Sequence, residues 1–313
     1  MSAGLQNGFF GIEIGGTKLQ LVAADETLTL RERHRFSVDS SRGASGIRAQ
    51  IEDAIGRLRR NWKALAVGVG FGGPVDWRTG KICCSHHVEG WSEFPLGEWL
   101  HTLTEAPVIV DNDANTAALG EAARGAGIGC NPVFYVTLGS GVGGGLIVNG
   151  SIYHGATPGE AEIGHLRLDK QGTILEKRCS GWAVDAKIRQ LRSNGEQSLL
   201  WDLIGNSMGG EAKYLGAALE KRDGLALRIL KETAEDLAFG LSHVTQLFHP
   251  EMIVVGGGLS LLGEQLRREL ERALLQFTME AFAPGPAVRL AGLGEDSVPV
   301  GACVAAQRLL AQQ

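Results

Sequence analysis

Asp113 is the residue of this chain best placed to take a proton. It follows a short apolar run, Val108–Val110, and opens an alanine- and glutamate-rich stretch in Asp111-Asn112-Asp113-Ala114-Asn115. A strand that hands over to a helix there would set the carboxylate at the positive helix end, which keeps it ionised near neutral pH. An ionised carboxylate can accept the proton of an alcohol. The same position also suits a plain N-cap, and the two roles are compatible. Asn112 both donates and accepts, as recognition of a polyhydroxylated ligand requires.

Two glycine turns carry a second kind of chemistry. Gly11-Ile12-Glu13-Ile14-Gly15-Gly16-Thr17-Lys18 and Thr137-Leu138-Gly139-Ser140-Gly141-Val142-Gly143-Gly144-Gly145 each join a short apolar run to a turn that includes a hydroxyl. Without a Cβ in the way, backbone N–H groups can line a concavity that holds phosphate oxygens. No G-x-x-x-x-G-K-[ST] occurs, so neither is a Walker A loop. A pair of such turns, one opening each half of the chain, suggests a nucleotide held by two similar halves. A third cluster, Gly159-Glu160-Ala161-Glu162-Ile163-Gly164-His165 with Glu176 downstream, fits a metal site, a sugar-binding edge or a solvated loop. No cysteine lies between Cys130 and Cys179 to complete a tetrahedral set with His165, so the sugar edge is the better fit. Cys83-Cys84 and His86-His87 are neighbours in sequence, but adjacent strand residues point to opposite faces and do not converge on one ion. Trp91 and Trp99 read as packing anchors, with a pocket border as the alternative for Trp91.

The elements that must position these groups follow from periodicity. Phe9–Ile14 and Leu19–Ala23 flank the first turn as a hairpin, and residues 26–38 offer a third strand. Ile47 to Arg60 has helical spacing, Ala64–Gly70 is a strand stopping at Gly72-Gly73-Pro74, and 114–126 is a helix. In the second half Val133–Leu138 and Gly145–Val148 flank the second glycine loop, and Asn149-Gly150 turns into Ser151–Tyr153. Leu230, Ala234, Leu237, Leu241, Val244 and Phe248 form one apolar stripe on a long helix. The strand Met252–Val255 leads to Gly256-Gly257-Gly258, and a helix over 302–310 closes the pattern. This mixture points to α/β in two lobes.

Composition sets limits. A chain of 313 residues with 44% hydrophobic and 21% charged residues has enough apolar material for a large core. A net charge of −5 without a basic cluster argues against a nucleic-acid partner. The five cysteines form an odd set with no C-x-x-C, which favours reduced thiols in a cytoplasm. No leader and no membrane span are expected, because no apolar run nears the length that either needs.

Taken in order, the motifs resemble those of the ROK family of sugar kinases and repressors, within the actin-like ATPase fold. The resemblance runs from about residue 8 to the end. It rests on Glu13 to Lys18, Gly70-Phe71-Gly72-Gly73-Pro74-Val75, Asp111 to Asn115, Thr137 to Gly145, Glu162-Ile163-Gly164-His165 and Gly256-Gly257-Gly258. It implies a two-lobed α/β fold of the ribonuclease H-like type with the active site in the inter-lobe cleft. The expected N-terminal lobe covers 8–117, closed by a helix at about 302–313, and the C-terminal lobe covers 118–301. About ten residues precede the first glycine loop, too few for the helix-turn-helix domain of the repressors, which favours the kinase branch.

By the same resemblance Asp113 is the base for the sugar hydroxyl, the 6-hydroxyl of glucose or a related hexose. Gly72, Gly73, Asn112, Glu162, His165 and Glu176 bind the sugar. ATP is held by Gly15, Gly16, Thr17 and Lys18, by Thr137, Gly139, Ser140 and Gly141, and by Gly257 and Gly258. Glu13 stands where the family usually has aspartate near Mg²⁺, which it would reach directly or through water. Kinases for N-acetylglucosamine, N-acetylmannosamine or fructose are the nearest rivals, and a non-catalytic sugar sensor is the rival of another class. A cytoplasmic homodimer using hexose and ATP is expected. Most members carry a C-x-C-G-x-x-G-C zinc segment after the Gly-His. Here the region reads Asp169-Lys170-Gln171-Gly172-Thr173-Ile174-Leu175-Glu176-Lys177-Arg178-Cys179, which keeps the glutamate and loses the motif, so no structural zinc is expected.

Overall fold

In the computed structural model residues 4–39, 42–83, 89–157, 159 and 161–312 are described. Cys84, His86, His87 and Glu160 therefore lie outside the described residues. The elements in chain order are β1 (Gln6–Ile14), β2 (Lys18–Ala24), β3 (Leu30–Ser37), α1 (Gly43–Leu58), β4 (Trp62–Phe71), β5 (Val75–Asp76), β6 (Lys81–Ile82), α2 (Leu96–Thr104), β7 (Val108–Asn112) and α3 (Asp113–Arg124). They continue with β8 (Val133–Leu138), β9 (Val142–Val148), β10 (Ser151–Ile152), α4 (Glu176–Cys179), α5 (Gly181–Ser193), α6 (Leu200–Ile204) and α7 (Leu215–Glu220). The chain closes with α8 (Gly224–Phe248), β11 (Met252–Gly256), α9 (Glu264–Phe277), β12 (Ala287–Leu290) and α10 (Ser297–Ala311). Two compact units result, one of residues 1–128, 145–160 and 295–313, the other of 129–144 and 161–294.

The first unit is built on a sheet of order β3-β2-β1-β4-β7. β1 pairs antiparallel with β2 and parallel with β4, and β4 runs parallel to β7. Register decides what meets at the strand ends. Ile14 lies opposite Phe71, and Phe71 opposite Asn112. The Gly15 loop, the Gly72-Gly73 turn and Asp113 thus leave the sheet at one edge, the carboxyl ends of parallel strands. One face is covered by α1, which buries Ile47, Ile51, Ile55 and Leu58 at helical spacing. Each such side chain contributes about 1.5–3 kcal/mol by leaving water. Trp91 is buried edge-on against Phe71, with ring centroids 5.5 Å apart.

Helix α10 packs on β1, β4 and α3 at backbone distance. A Cβ at Gly68 would stand 1.9 Å from the Ala302 carbonyl oxygen, and one at Gly301 would stand 1.8 Å from that of Thr116. Only glycine permits that approach. The sequence pattern starts this helix at 302, whereas the structure starts it at Ser297, with Pro299 in its first turn. Proline is tolerated there because its missing N–H is not needed.

In the second unit β8, β11 and β12 are parallel, with Thr137 opposite Gly256. The loop after β8 and Gly257 after β11 therefore share an edge. A Cβ at Gly257 would stand 2.5 Å from the Leu138 carbonyl carbon, and its φ of +79° is open to glycine. Helix α8 buries Leu230, Ala234, Leu237, Leu241 and Val244, but Phe248 at its end is 44% exposed and drops out of the expected stripe. The helix begins at Gly224, ahead of that stripe, because Asp223 caps it by accepting the Ala226 N–H at 2.9 Å.

Strand β9 corrects another expectation. It starts at Val142 and not at Gly145, so Gly143 and Gly144 belong to it and not to the loop, which ends at Gly141. Within its unit, a Cβ at Gly144 would meet the Ala161 carbonyl oxygen at 2.7 Å. In the other unit, one at Gly145 would meet the Ala118 Cβ at 2.8 Å. Small residues are required here for packing, not for a turn. Asn149 and Gly150, at φ +52° and +75°, make the hairpin turn into β10.

Candidate active site

In the first unit the glycine turns, Asn112 and Asp113 converge. Gly15 N–H donates to the Lys18 carbonyl at 2.8 Å and closes the first loop, while Gly72 N–H donates to the Ile14 carbonyl at 2.8 Å. A Cβ at Gly72 would lie 3.3 Å from Asp113 Oδ2 and 3.5 Å from Gly15 Cα. The Asp113 carboxylate thus faces the glycine turns across a gap that a larger side chain would narrow.

The cap of α3 is Asn112, not Asp113. Asn112 Oδ1 accepts the N–H groups of Ala114 (2.8 Å) and Asn115 (3.3 Å), and its Nδ2 donates to the Gly73 carbonyl at 3.2 Å. Asp113 is the first helical residue, and its Oδ1 accepts the Ala114 N–H at 2.8 Å. With the capping duty on its neighbour, Asp113 sits at the positive helix end, where its anion is favoured.

Behind this turn lies a pair that spacing alone did not reveal. Asp111 is 5% exposed. Its Oδ1 accepts the Asn112 N–H at 2.8 Å and Asn115 Nδ2 at 3.0 Å, and His154 Nε2 lies 2.6 Å from its Oδ2. His154 stacks on Trp77 with centroids 4.1 Å apart, Arg78 covers the Trp77 ring at 4.7 Å, and Arg78 Nη1 donates to Thr157 Oγ1 at 2.8 Å. A histidine 43 residues from its partner leaves no local signal in the chain.

Glu13 faces Gln20 across the hairpin and is largely buried, which raises its carboxyl above the usual range. Lys18 Nζ at 3.1 Å and the Gln20 amide oppose that rise. Gln20 is itself held, taking Arg35 Nε at 3.2 Å and donating to the Glu295 carbonyl at 3.1 Å. One fixed carboxylate beside a phosphate-type loop suits Mg²⁺, which keeps most of its waters and shares a substrate's phosphates. Among the described residues no three His, Cys, Asp or Glu side chains gather as a metal-ligand group.

In the second unit Gly139 N–H donates to the Gly141 carbonyl at 3.0 Å, and the Gly139 carbonyl accepts Gly181 N–H at 2.7 Å. Glu176, at the start of α4, reaches this loop. Its Oε2 accepts the Val142 N–H at 3.0 Å, and a Cβ at Gly141 would stand 2.5 Å from the same oxygen. A cavity of about 500 Å³ runs from Ser140 and Glu176 along one side of α5, past Trp182 and Lys187 to Asn194. Thr137, Gly139, Gly141, Glu176 and Gly257 are therefore gathered at one edge. Gly258 opens a short 3-10 turn over Gly258–Leu262. Glu162, which precedes another such turn over Ile163–His165, and His165, which ends it, are exposed. Ala161 before them sits at φ +53°, a strained value for a residue with a Cβ.

The segment 169–180 holds itself together. Arg167 bridges Ile174, Asp169 Oδ1 accepts the Thr173 N–H at 3.0 Å, and Leu175 is buried. Trp182 is 57% exposed, and Ser180 caps α5, accepting the Ala183 N–H at 3.1 Å.

Mixed sheets with glycine loops at their carboxyl edges, in two units, make this the two-lobed actin-like ATPase fold. The chain belongs to the ROK family, whose model matches residues 9–308. It is 31% identical over 309 residues to a glucokinase of Halalkalibacterium halodurans, covering 94% of this chain and 93% of that one. A ROK family glucokinase from Streptomyces griseus, solved with glucose and AMPPNP, superposes with a TM-score of 0.84 at 30% identity, covering 97% of this chain and all of that one. The xylose repressor of Caldicellulosiruptor bescii is 26% identical over 251 residues, which span 77% of this chain but 62% of the repressor.

Proposed function

We propose that this protein is an ATP-dependent hexose kinase acting on the 6-hydroxyl of glucose, with Asp113 as general base. The observation that carries the reading is the placement of the Asp113 carboxylate at the first turn of α3, facing Gly72 and Gly15, while Asn112 does the capping. That sets the carboxylate at the helix end where an anion is favoured, with Oδ2 toward the glycine turns. Likeness to glucokinases over nearly the whole chain supports the substrate class.

In this reading Asn112, Glu162, His165 and Glu176, with backbone of Gly72 and Gly73, hold the sugar. Asp113 Oδ2 accepts the hydroxyl proton as that oxygen forms its bond to the γ-phosphorus. The bond from the γ-phosphorus to the β,γ-bridging oxygen breaks, ADP carries away that electron pair, and Asp113 later returns its proton to solvent. Loop N–H groups at 15–17 and 139–141 offset phosphate charge, and Gly257-Gly258 lies against the adenosine. Most of the rate gain is positional and electrostatic. Mg²⁺, when bound, neutralises phosphate charge, and Glu13 is the carboxylate that would hold its water shell.

Structural zinc does not fit the residues present. Cys179 is buried, its thiol donates to the Thr233 carbonyl at 3.6 Å, and burial pushes its pKa up, which disfavours the thiolate. A sensor without catalysis is the rival supported by likeness to the repressor, and retention of Asp113 speaks against it. A coupled ADP-release assay with glucose, fructose, N-acetylglucosamine and N-acetylmannosamine tests both at once. Glucose-dependent ADP release is expected, and none with any of the four sugars would favour the sensor.

A further inference from the structure

We infer that His154 is a positioning residue for the phosphoryl-transfer site, holding the Asp111 carboxylate so that it locks the turn that carries Asn112 and Asp113. The inference rests on the reading of Asp113 as the base. Its own ground is the geometry of the His154–Asp111 pair.

An ionised carboxylate only accepts, so His154 Nε2 donates to Asp111 Oδ2 across 2.6 Å. That contact uses one oxygen and turns the other toward the helix start. There Oδ1 takes the Asn112 N–H at 2.8 Å and Asn115 Nδ2 at 3.0 Å, one bond on each side of Asp113. Asp111 is 5% exposed, so water cannot easily replace a lost partner. Without His154, Oδ2 would be a buried charged acceptor lacking its nearest donor. The carboxylate would then rotate toward solvent, which weakens its hold on Asn112 and Asn115. The base would lose its fixed direction, to which transfer rates are steeply sensitive.

His154 is itself built into place. Its ring stacks on Trp77, which Arg78 covers, and Arg78 is tied to Thr157. A side chain meant only to fill space would not need its nitrogen aimed at a buried carboxylate. Asn112 keeps three other bonds, two from its cap oxygen and one to Gly73, so its contribution to sugar binding should survive loss of His154.

The test compares His154→Ala and His154→Gln with the unaltered protein, since the glutamine amide can place a donor near the position of Nε2. For H154A a fall in kcat of about tenfold to a hundredfold is expected, with KM for ATP and glucose each within about threefold. Exchange of backbone amides over 111–116 should quicken. H154Q should keep kcat within about tenfold, and added imidazole should raise the turnover of H154A, a rescue that a merely structural role would not give.

The inference is overturned if folded H154A keeps more than half the normal kcat, or if its amides over 111–116 exchange as slowly as before. If H154A does not fold, H154Q decides alone, and a loss beyond about a hundredfold in that variant rejects the idea. Failure of the underlying reading looks different. Full activity of Asp113→Asn would remove the base, yet the exchange result would still report whether His154 holds the turn.

Discussion

Glu176 accepts the Val142 N–H at 3.0 Å, and its carboxylate occupies the space a side chain at Gly141 would need. The glutamate proposed for the sugar therefore also braces the glycine loop proposed for phosphate. Segment 169–180 delivers it there by turn hydrogen bonds and the buried Leu175.

Glu176→Ala should weaken glucose binding by about 1–3 kcal/mol, roughly tenfold to a hundredfold in Kd, as an acceptor for the sugar is lost. Glu176→Gln keeps an acceptor for Val142 N–H and should bind ATP normally. Calorimetric titration of each variant with glucose and with a non-hydrolysable ATP analogue separates the two duties. Unchanged glucose affinity in the alanine variant would confine Glu176 to the loop.

Asp113→Asn should cut turnover by about two to four orders of magnitude while sugar binding stays nearly intact. The amide oxygen of asparagine can still accept the Ala114 N–H that Asp113 Oδ1 accepts. Structure at the helix start is thereby preserved and only the proton acceptor is removed. Retention of more than about a tenth of normal turnover would take the base role away from Asp113.

Gly301→Ala and Gly56→Ala should shift stability in opposite directions. At Gly301 the new methyl would lie 1.8 Å from the Thr116 carbonyl oxygen, so α10 must move off α3, at a cost of about 1–3 kcal/mol or more. At Gly56, within α1, nothing lies within 4 Å, and alanine should stabilise by about 0.5–1 kcal/mol. Urea midpoints at constant slope measure both.

Purified protein should carry no stoichiometric zinc, and a strong chelator should leave its Tm unchanged. A closed tetrahedral site needs four ligands, usually several of them thiolates, and the buried Cys179 thiol donates to a carbonyl. Elemental analysis finding about one zinc per chain would refute this. Activity lost to the chelator should return with Mg²⁺ alone.

Where the signal was local, the chain could be read directly. Glycine at 15 and 16, hydroxyl at 17 and a preceding β-branched run announce a strand and an open turn before any fold is known. The spacing from Leu230 to Val244 marks one buried helical face, which α8 has. The Val108–Val110 run ending in Asp111-Asn112-Asp113 likewise marks a strand-to-helix junction, and β7 and α3 meet there.

What the chain alone could not settle depends on partners far away in sequence. Which of Asn112 and Asp113 caps α3 turns on Gly73, whose carbonyl draws the Asn112 amide and leaves its oxygen for the helix. Gly143 and Gly144 look like loop, but they are strand residues, and a Cβ at Gly144 would crowd the Ala161 carbonyl. His154 and Asp111 meet only because a hairpin returns the chain to the end of β7. Short-range sterics and periodicity act within a few residues, so sequence carries them. Register, close backbone approach and the aim of a hydrogen bond are set by chain segments that only folding brings together.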